Sequence, residues 1–209
     1  MAIAVGDDQR AEQASRRDAP AMGRVATERP TMYVMVGLPA AGKTMLARRL
    51  AMECPALRLT PDEWMLPLFG DSMAGGLRNV LEGRLIATAL EALGLGVNVV
   101  LDFGVWGKDE RTALRWLAST VGAECELVYV AIDALEQARR VGERVETAAE
   151  PTFPMTQADL DEWRGRFQPP DEDELRGVGL DPPPSGFHTW RDWIARWWPT
   201  SLGQGEGSE

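Results

Sequence analysis

Short apolar runs alternate with longer amphipathic stretches along most of this chain. The runs at 32–36, 56–60, 97–101 and 126–132 read as strands, and the stretches at 43–52, 77–93, 109–121 and 135–146 read as helices. The run at 97–101 is the clearest strand, almost wholly apolar, as a strand buried on both faces must be. This alternation predicts an α/β fold, a mostly parallel sheet flanked by helices, with right-handed crossovers. Ligands of such sheets bind beyond the C-terminal strand ends. Thr44, Asp62, Asp102 and Asp133 all fall at or just after such ends, and so are expected around one crevice. The pattern does not supply the order of the strands.

Beyond residue 146 the pattern changes. Pro151, Pro154, Pro169 and Pro170 bracket a further helix, with Thr156 as its cap and Asp159 three residues on. The acidic run 171–174 reads as a solvated turn. Pro182, Pro183 and Pro184 interrupt regular structure, and a last helix at 189–198 carries Trp190, Trp193 and Trp197 as one apolar stripe. That stripe either docks on the main domain or meets a partner. The expected organisation is a flexible leader at 1–29, a main domain at 30–170, a proline-rich connection with the tryptophan helix at 171–198, and a flexible tail at 199–209.

A length of 209 residues suits one α/β domain with ragged ends. The net charge of -10 argues against a long nucleic-acid track, though not against a polynucleotide end entering a locally basic cleft. Cys54 and Cys125 are the only cysteines and read as small buried hydrophobes. His188 is the single histidine, so a histidine-rich metal site is excluded. With no secretory signal and no membrane-length apolar run, the expected location is cytoplasmic, without a membrane partner.

The segment Gly37-Leu38-Pro39-Ala40-Ala41-Gly42-Lys43-Thr44 fits G-x-x-x-x-G-K-[ST] at every specified position, between a strand and a helix. Its glycines let backbone curl closely around phosphate oxygens, and the helix that follows turns its free N–H groups toward the anion. Gly37 through Met45 are therefore the expected nucleotide-binding residues. Lys43 reaches the β and γ phosphates, and the Thr44 hydroxyl ligates Mg²⁺.

Other side chains have two readings each. Asp62 is either the carboxylate that orients and deprotonates an acceptor hydroxyl, or a cap of the next helix. Asp102 holds Mg²⁺ through water, contacts substrate, or satisfies a turn. Trp106 stacks on a ring or closes the core. Arg140 and Arg144, four apart, share a helix face and either clamp the transferring phosphoryl group or pair with Glu136, Glu143 and Glu146 at the surface; Arg139 points aside. Arg78 and Arg84 either hold an anionic acceptor or sit at the surface.

The phosphate loop, residues 58–64, Leu101-Asp102-Phe103-Gly104, Arg140-x-x-x-Arg144, and the ending at 155–170 with Trp163 and Phe167 together resemble the small bacterial P-loop kinase-like proteins. These are akin to polynucleotide 5′-kinases, zeta toxins and chloramphenicol phosphotransferases. The resemblance implies a nucleotide-kinase-like fold with a helical lid and the cofactors ATP and Mg²⁺. It also implies Lys43, Asp62, Arg140 and Arg144 as catalytic residues, with Thr44 and Asp102 toward the metal. The expected activity is ATP-dependent phosphotransfer to a hydroxyl of a small molecule. The alternatives are a polynucleotide 5′-hydroxyl kinase and a nucleotide-hydrolysing switch whose tryptophan helix engages a protein. No Asn/Thr-Lys-x-Asp guanine motif is present.

Overall fold

A computed structural model describes residues 29–71, 74–147 and 155–202 of the chain, with only the backbone of 144–147. Four strands form its sheet: β1 (Thr31–Val36), β2 (Ala56–Leu59), β3 (Asn98–Val105) and β4 (Glu124–Tyr129). Their order is β2-β3-β1-β4 and every pairing is parallel. The helices are α1 (Lys43–Glu53), α2 (Asp62–Phe69), α3 (Leu77–Gly94), α4 (Lys108–Thr120), α5 (Ala134–Thr147), α6 (Gln157–Arg166), α7 (Glu172–Leu175) and α8 (Trp190–Trp197). β1 lies between β3 and β4, so the chain leaves its C-terminal end where neighbouring strands are reached in opposite directions. Such a switch point opens a crevice above the sheet.

Side-chain alternation divides the core between the two faces. Met32, Val34 and Val36 of β1 join Val99 and Leu101 of β3 against α3, α4 and α8. Met35 and Val100 face the other way, with Ala47 of α1. Both faces of the sheet are therefore covered, which explains the unbroken apolar run in β3. At the lower end, Asn98 accepts from the Thr31 N–H at 2.9 Å and donates to the Cys54 carbonyl at 2.8 Å, tying β3 to β1 and to the end of α1.

Three strand boundaries differ from the sequence expectation. β3 continues through Asp102 to Val105 because its register against β1 shifts: Val34 pairs with Leu101, but Val36 pairs with Val105. Asp102 thus lies within a kinked strand, not beyond its end. β4 begins at Glu124, whose N–H donates to the Pro30 carbonyl at 2.9 Å, and ends at Tyr129, although apolar residues continue. β2 stops at Leu59, and Pro61 caps a helix at once.

The tryptophan stripe docks on the domain. Trp190 and Trp193 are buried beside Ile194, and Trp193 meets Trp190 and Trp198 edge-on at 5.9 and 5.3 Å. α3 approaches so closely at Gly83 that a Cβ there would lie 2.5 Å from the Thr200 hydroxyl. The acidic run is not a solvated turn. Asp171 caps α7, and Glu174 is buried against the fully buried Arg111 of α4. The Arg111 guanidinium donates to both Glu174 oxygens at 2.8 and 3.0 Å, and to the carbonyls of Trp106 and Gln168 at 3.1 and 2.7 Å. Removing one member of such a pair strands a buried charge. Arg111→Ala is expected to lose about 3–5 kcal/mol of stability in urea unfolding, and a loss below about 1 kcal/mol would show that the pair does not anchor this segment.

Candidate active site

The phosphate loop leaves β1 at Gly37 with φ of 146°, pressed so close to β4 that a Cβ would meet the Val130 carbonyl oxygen at 2.5 Å. Its carbonyl groups are engaged one after another. The Leu38 oxygen accepts from Lys43 Nζ at 2.8 Å and from the Ala41 N–H at 3.3 Å. The Pro39 oxygen accepts from Gln137 at 3.0 Å. The Ala40 and Ala41 oxygens accept from Arg140 Nη1 at 3.4 and 3.1 Å. Ala40 is held at φ of 63°, a conformation that non-glycine residues seldom adopt and that locates strain in this loop.

At the base of the loop, Gly42 precedes α1 at φ of 100° and no side chain caps that helix. By contrast, α6 and α8 are each closed by a threonine whose hydroxyl accepts an N–H, with an aspartate reaching back. The first N–H groups of α1 lack partners within the helix and carry the positive end of its dipole. An anion is the matching ligand.

Lys43, Thr44, Asp62 and Asp102 converge beside this opening. The Thr44 hydroxyl hydrogen-bonds the Asp102 carboxylate. Asp102 is buried, and burial raises its carboxyl above the ordinary value, against the opposing influence of that hydrogen bond and of the Arg58 and Lys43 charges. A hydroxyl and a buried carboxylate in contact form an all-oxygen donor pair of the kind that suits Mg²⁺. The kink in β3 places Gly104, at φ of 72°, against the loop lysine. A Cβ at Gly104 would lie 3.2 Å from Lys43 Cε and 3.9 Å from the Trp106 indole nitrogen. Trp106 packs on Trp163 of α6 with ring centres 6.1 Å apart.

Asp62 is the first residue of α2, where its charge complements the helix dipole, and Pro61 occupies the cap position. Its side chain is 73% exposed and meets Arg78 Nη1 at 2.9 Å. Its charge acts on both Lys43 and Asp102. Arg78 is thus placed beside Asp62, while Arg84 is exposed. Asp133 serves elsewhere: its carboxylate accepts the Glu136 N–H at 2.8 Å and closes the start of α5. Met45 is exposed. Arg139 pairs with Glu136 and Glu143 at the surface. Arg144 belongs to α5, but its side chain lies outside the described residues, as do most of the leader and tail.

Sequence reasoning missed three contributors. Arg58 of β2 reaches Thr60, Glu63 and, at 3.4 Å, Asp102. Gln137 is buried and links the loop to Arg164 of α6, whose guanidinium donates to the Gln137 oxygen at 2.5 Å. Arg164 also lines a pocket of about 250 Å³ with Leu38, Tyr129, Ile132, Phe167 and Pro169. Gln137 gave a visible signal, standing three residues before Arg140 and hence on nearly the same helix face. Arg58 gave none, since an arginine within a short strand usually reads as an edge position.

A parallel sheet in this order, with a phosphate loop after its central strand, defines a P-loop kinase-like, ATP-binding fold. The chain belongs to the AAA domain family, whose model matches residues 32–170, about two thirds of its length. A putative kinase from Chloroflexus aurantiacus J-10-fl is 20% identical, with a TM-score of 0.56 over 77% of this chain and 82% of that one. A gluconokinase from Sinorhizobium meliloti 1021 is 16% identical, with a TM-score of 0.51 over 84% and 91%. A chain of the Pnkp1/Rnl/Hen1 RNA repair complex is 18% identical, with a TM-score of 0.53 over 76% of this chain and 49% of that one, so this chain spans about half its length. At these identities the likeness is one of fold. No curated protein matches the chain. No helix among the described residues is long and apolar enough to cross a membrane.

Burial pushes the Lys43 ammonium down to about 8, while the charges of Asp102 and Asp62 raise it. A depressed lysine reverses the usual linkage. Between about 8 and the ordinary 10.5 the unfolded chain binds the extra proton, so stability rises with pH across that window. Phosphate binding needs the protonated form and therefore runs the other way. Metal-free ADP is expected to bind about tenfold more weakly at pH 9 than at pH 7, and Lys43→Arg to flatten this dependence. Equal affinity at the two pH values in the unaltered protein would contradict the assignment.

Proposed function

We propose that this protein transfers the γ-phosphate of ATP to a hydroxyl group of a small molecule. The observation that carries the reading is the placement of Asp62, an exposed carboxylate whose charge acts on both the loop lysine and Asp102. A carboxylate in that position is suited to orient an alcohol in line with a phosphate held by the loop.

In this mechanism the open N–H groups of α1 and the Lys43 ammonium hold the β and γ phosphates. Lys43 exchanges its bond to the Leu38 carbonyl for one to phosphate oxygen. Arg140, already over the loop, has a guanidinium suited to the charge on the transferring group; Arg144 is assigned beside it from its spacing. The adenine ring is assigned to the pocket between Leu38 and Phe167. Thr44 and Asp102 would hold Mg²⁺, which when bound supplies charge neutralisation to the β and γ phosphates. Asp62 accepts the proton as the acceptor oxygen bonds to γ-phosphorus. The bond from that phosphorus to the β–γ bridging oxygen breaks, and ADP leaves with the electron pair.

The test is transfer of labelled γ-phosphate to a panel of alcohols that includes nucleosides, sugars, amino sugars and 5′-hydroxyl oligonucleotides. Asp62→Asn is expected to lower kcat by about 10²–10⁴-fold with little change in ATP affinity, and Lys43→Ala to lower both. Full transfer by Asp62→Asn would remove the base assignment. Transfer only to oligonucleotides would make the acceptor a polynucleotide end, and phosphate release without any acceptor would make the protein a hydrolase.

A further inference from the structure

Gln137 of α5 is 1% exposed and joins two parts of the site that lie far apart in the chain. Its amide N–H donates to the Pro39 carbonyl of the phosphate loop at 3.0 Å, and its amide oxygen accepts from Arg164 of α6 at 2.5 Å. The Pro39 carbonyl can only accept, and a guanidinium can only donate. A neutral amide satisfies both. A carboxylate has no hydrogen to give Pro39, and a lysine or arginine has no acceptor to offer Arg164. The mechanism above holds phosphate through N–H groups, Lys43 and Arg140, and makes no use of this buried amide.

Arg164 is where the contact meets the base pocket. It lines that space of about 250 Å³ together with apolar and aromatic residues, among them Tyr129 and Phe167, stacked with ring centres 6.0 Å apart. Its Nη1 donates to the Ile132 carbonyl at 3.3 Å while Nη2 holds Gln137, so both edges of the fork are tied to protein. A base seated in the pocket would cover this half-buried guanidinium and displace water from it. In such drier surroundings the charge-assisted bond to Gln137 strengthens. At the other end, Pro39 directly precedes Ala40, whose left-handed φ of 63° turns the loop. The peptide plane between them is trans. A Pro39 carbonyl drawn toward Gln137 therefore points the Ala40 N–H the opposite way, as an anion-binding loop requires.

We propose that Gln137 is a positioning residue that couples the two halves of the nucleotide: a base in the pocket, acting through Arg164 and Gln137, holds the loop ready for phosphate. The coupling rests on the base pocket assigned above, and it does not depend on what accepts the phosphate. It gives a nucleotide an advantage over a base-free polyphosphate beyond the sum of their separate contacts.

The test is calorimetric titration of ADP and of pyrophosphate, both without metal, into four proteins. These are the unaltered chain, Gln137→Met, Arg164→Ala and the double variant, each checked by circular dichroism for an intact fold. Methionine keeps the length of the side chain and removes its amide. A role confined to keeping the loop in shape would weaken ADP and pyrophosphate by the same factor in Gln137→Met. Coupling predicts instead that the advantage of ADP over pyrophosphate falls by about fivefold or more. Arg164→Ala alters the base pocket, yet is expected to weaken pyrophosphate, which has no base, by about fivefold in the unaltered background. The loss should be much smaller once Gln137 is methionine, since the missing charge counts alike in both backgrounds. An ADP advantage unchanged in Gln137→Met, or fully additive losses in the double variant, would overturn the proposal. If the double variant does not fold, the ratio in Gln137→Met decides alone. ADP affinity indifferent to Arg164→Ala would remove the base from this pocket and the proposal with it. Coupling in a protein that transfers phosphate to no alcohol would support the proposal and remove the phosphotransferase reading; an active kinase without coupling would do the reverse.

Discussion

The structure of the site depends on how the carbonyl groups of the phosphate loop are used. A backbone that curls around an anion must turn its N–H groups inward, which leaves its carbonyl oxygens facing protein. Here those oxygens find donors from three directions. Lys43 satisfies Leu38, Gln137 satisfies Pro39, and Arg140 satisfies Ala40 and Ala41. Two of the three donors belong to α5, so the loop is clamped between the helix that follows it and the helix that follows β4. The left-handed backbone at Ala40 can persist because these bonds over-determine it.

The same clamp extends outward. Gln137 hands the loop to Arg164 of α6, and α6 leads through Gln168 to Arg111. Arg111 in turn secures Glu174, and with it the segment that carries the chain to the tryptophan helix. Side-chain bonds thus tie the phosphate loop to α6, and Arg111 ties the backbone just beyond α6 to Glu174. The surrounding hydrophobic core holds the sheet, but these polar contacts aim the loop. The Arg111–Glu174 pair, being buried, is the costliest of them to break singly.

Much of the fold was legible because β1 and β3 are short apolar runs and the long helices α3 and α4 carry a wide buried face. The loop motif was legible because its chemistry fixes both residue types and spacing. The boundaries were harder to read where backbone geometry departs from period two. The register shift in β3 carries Asp102 inside the strand, and nothing in Leu101-Asp102-Phe103-Gly104 distinguishes that kink from a strand end. Arg58 and Glu174 were missed for a related reason: a charged residue reads as surface until its partner is known, and their buried partners, Asp102 and Arg111, lie far away in sequence. That Thr44 acts on Asp102 was not legible in the sequence, which left Asp102 between metal, substrate and turn roles. Arg140 both donates to the loop carbonyls and pairs with Glu136 at 2.7 Å, so its spacing alone did not separate the two readings, whereas Asp133 proved to be a helix cap.

Calorimetric titration with adenosine, AMP, ADP and ATP tests the central claim most directly, because the clamped loop is built to bind phosphate and not the base. Affinity should climb with each added phosphate, by about tenfold or more between AMP and ATP in the presence of Mg²⁺. Adenosine binding as tightly as ATP, or affinity indifferent to phosphate number, would contradict it.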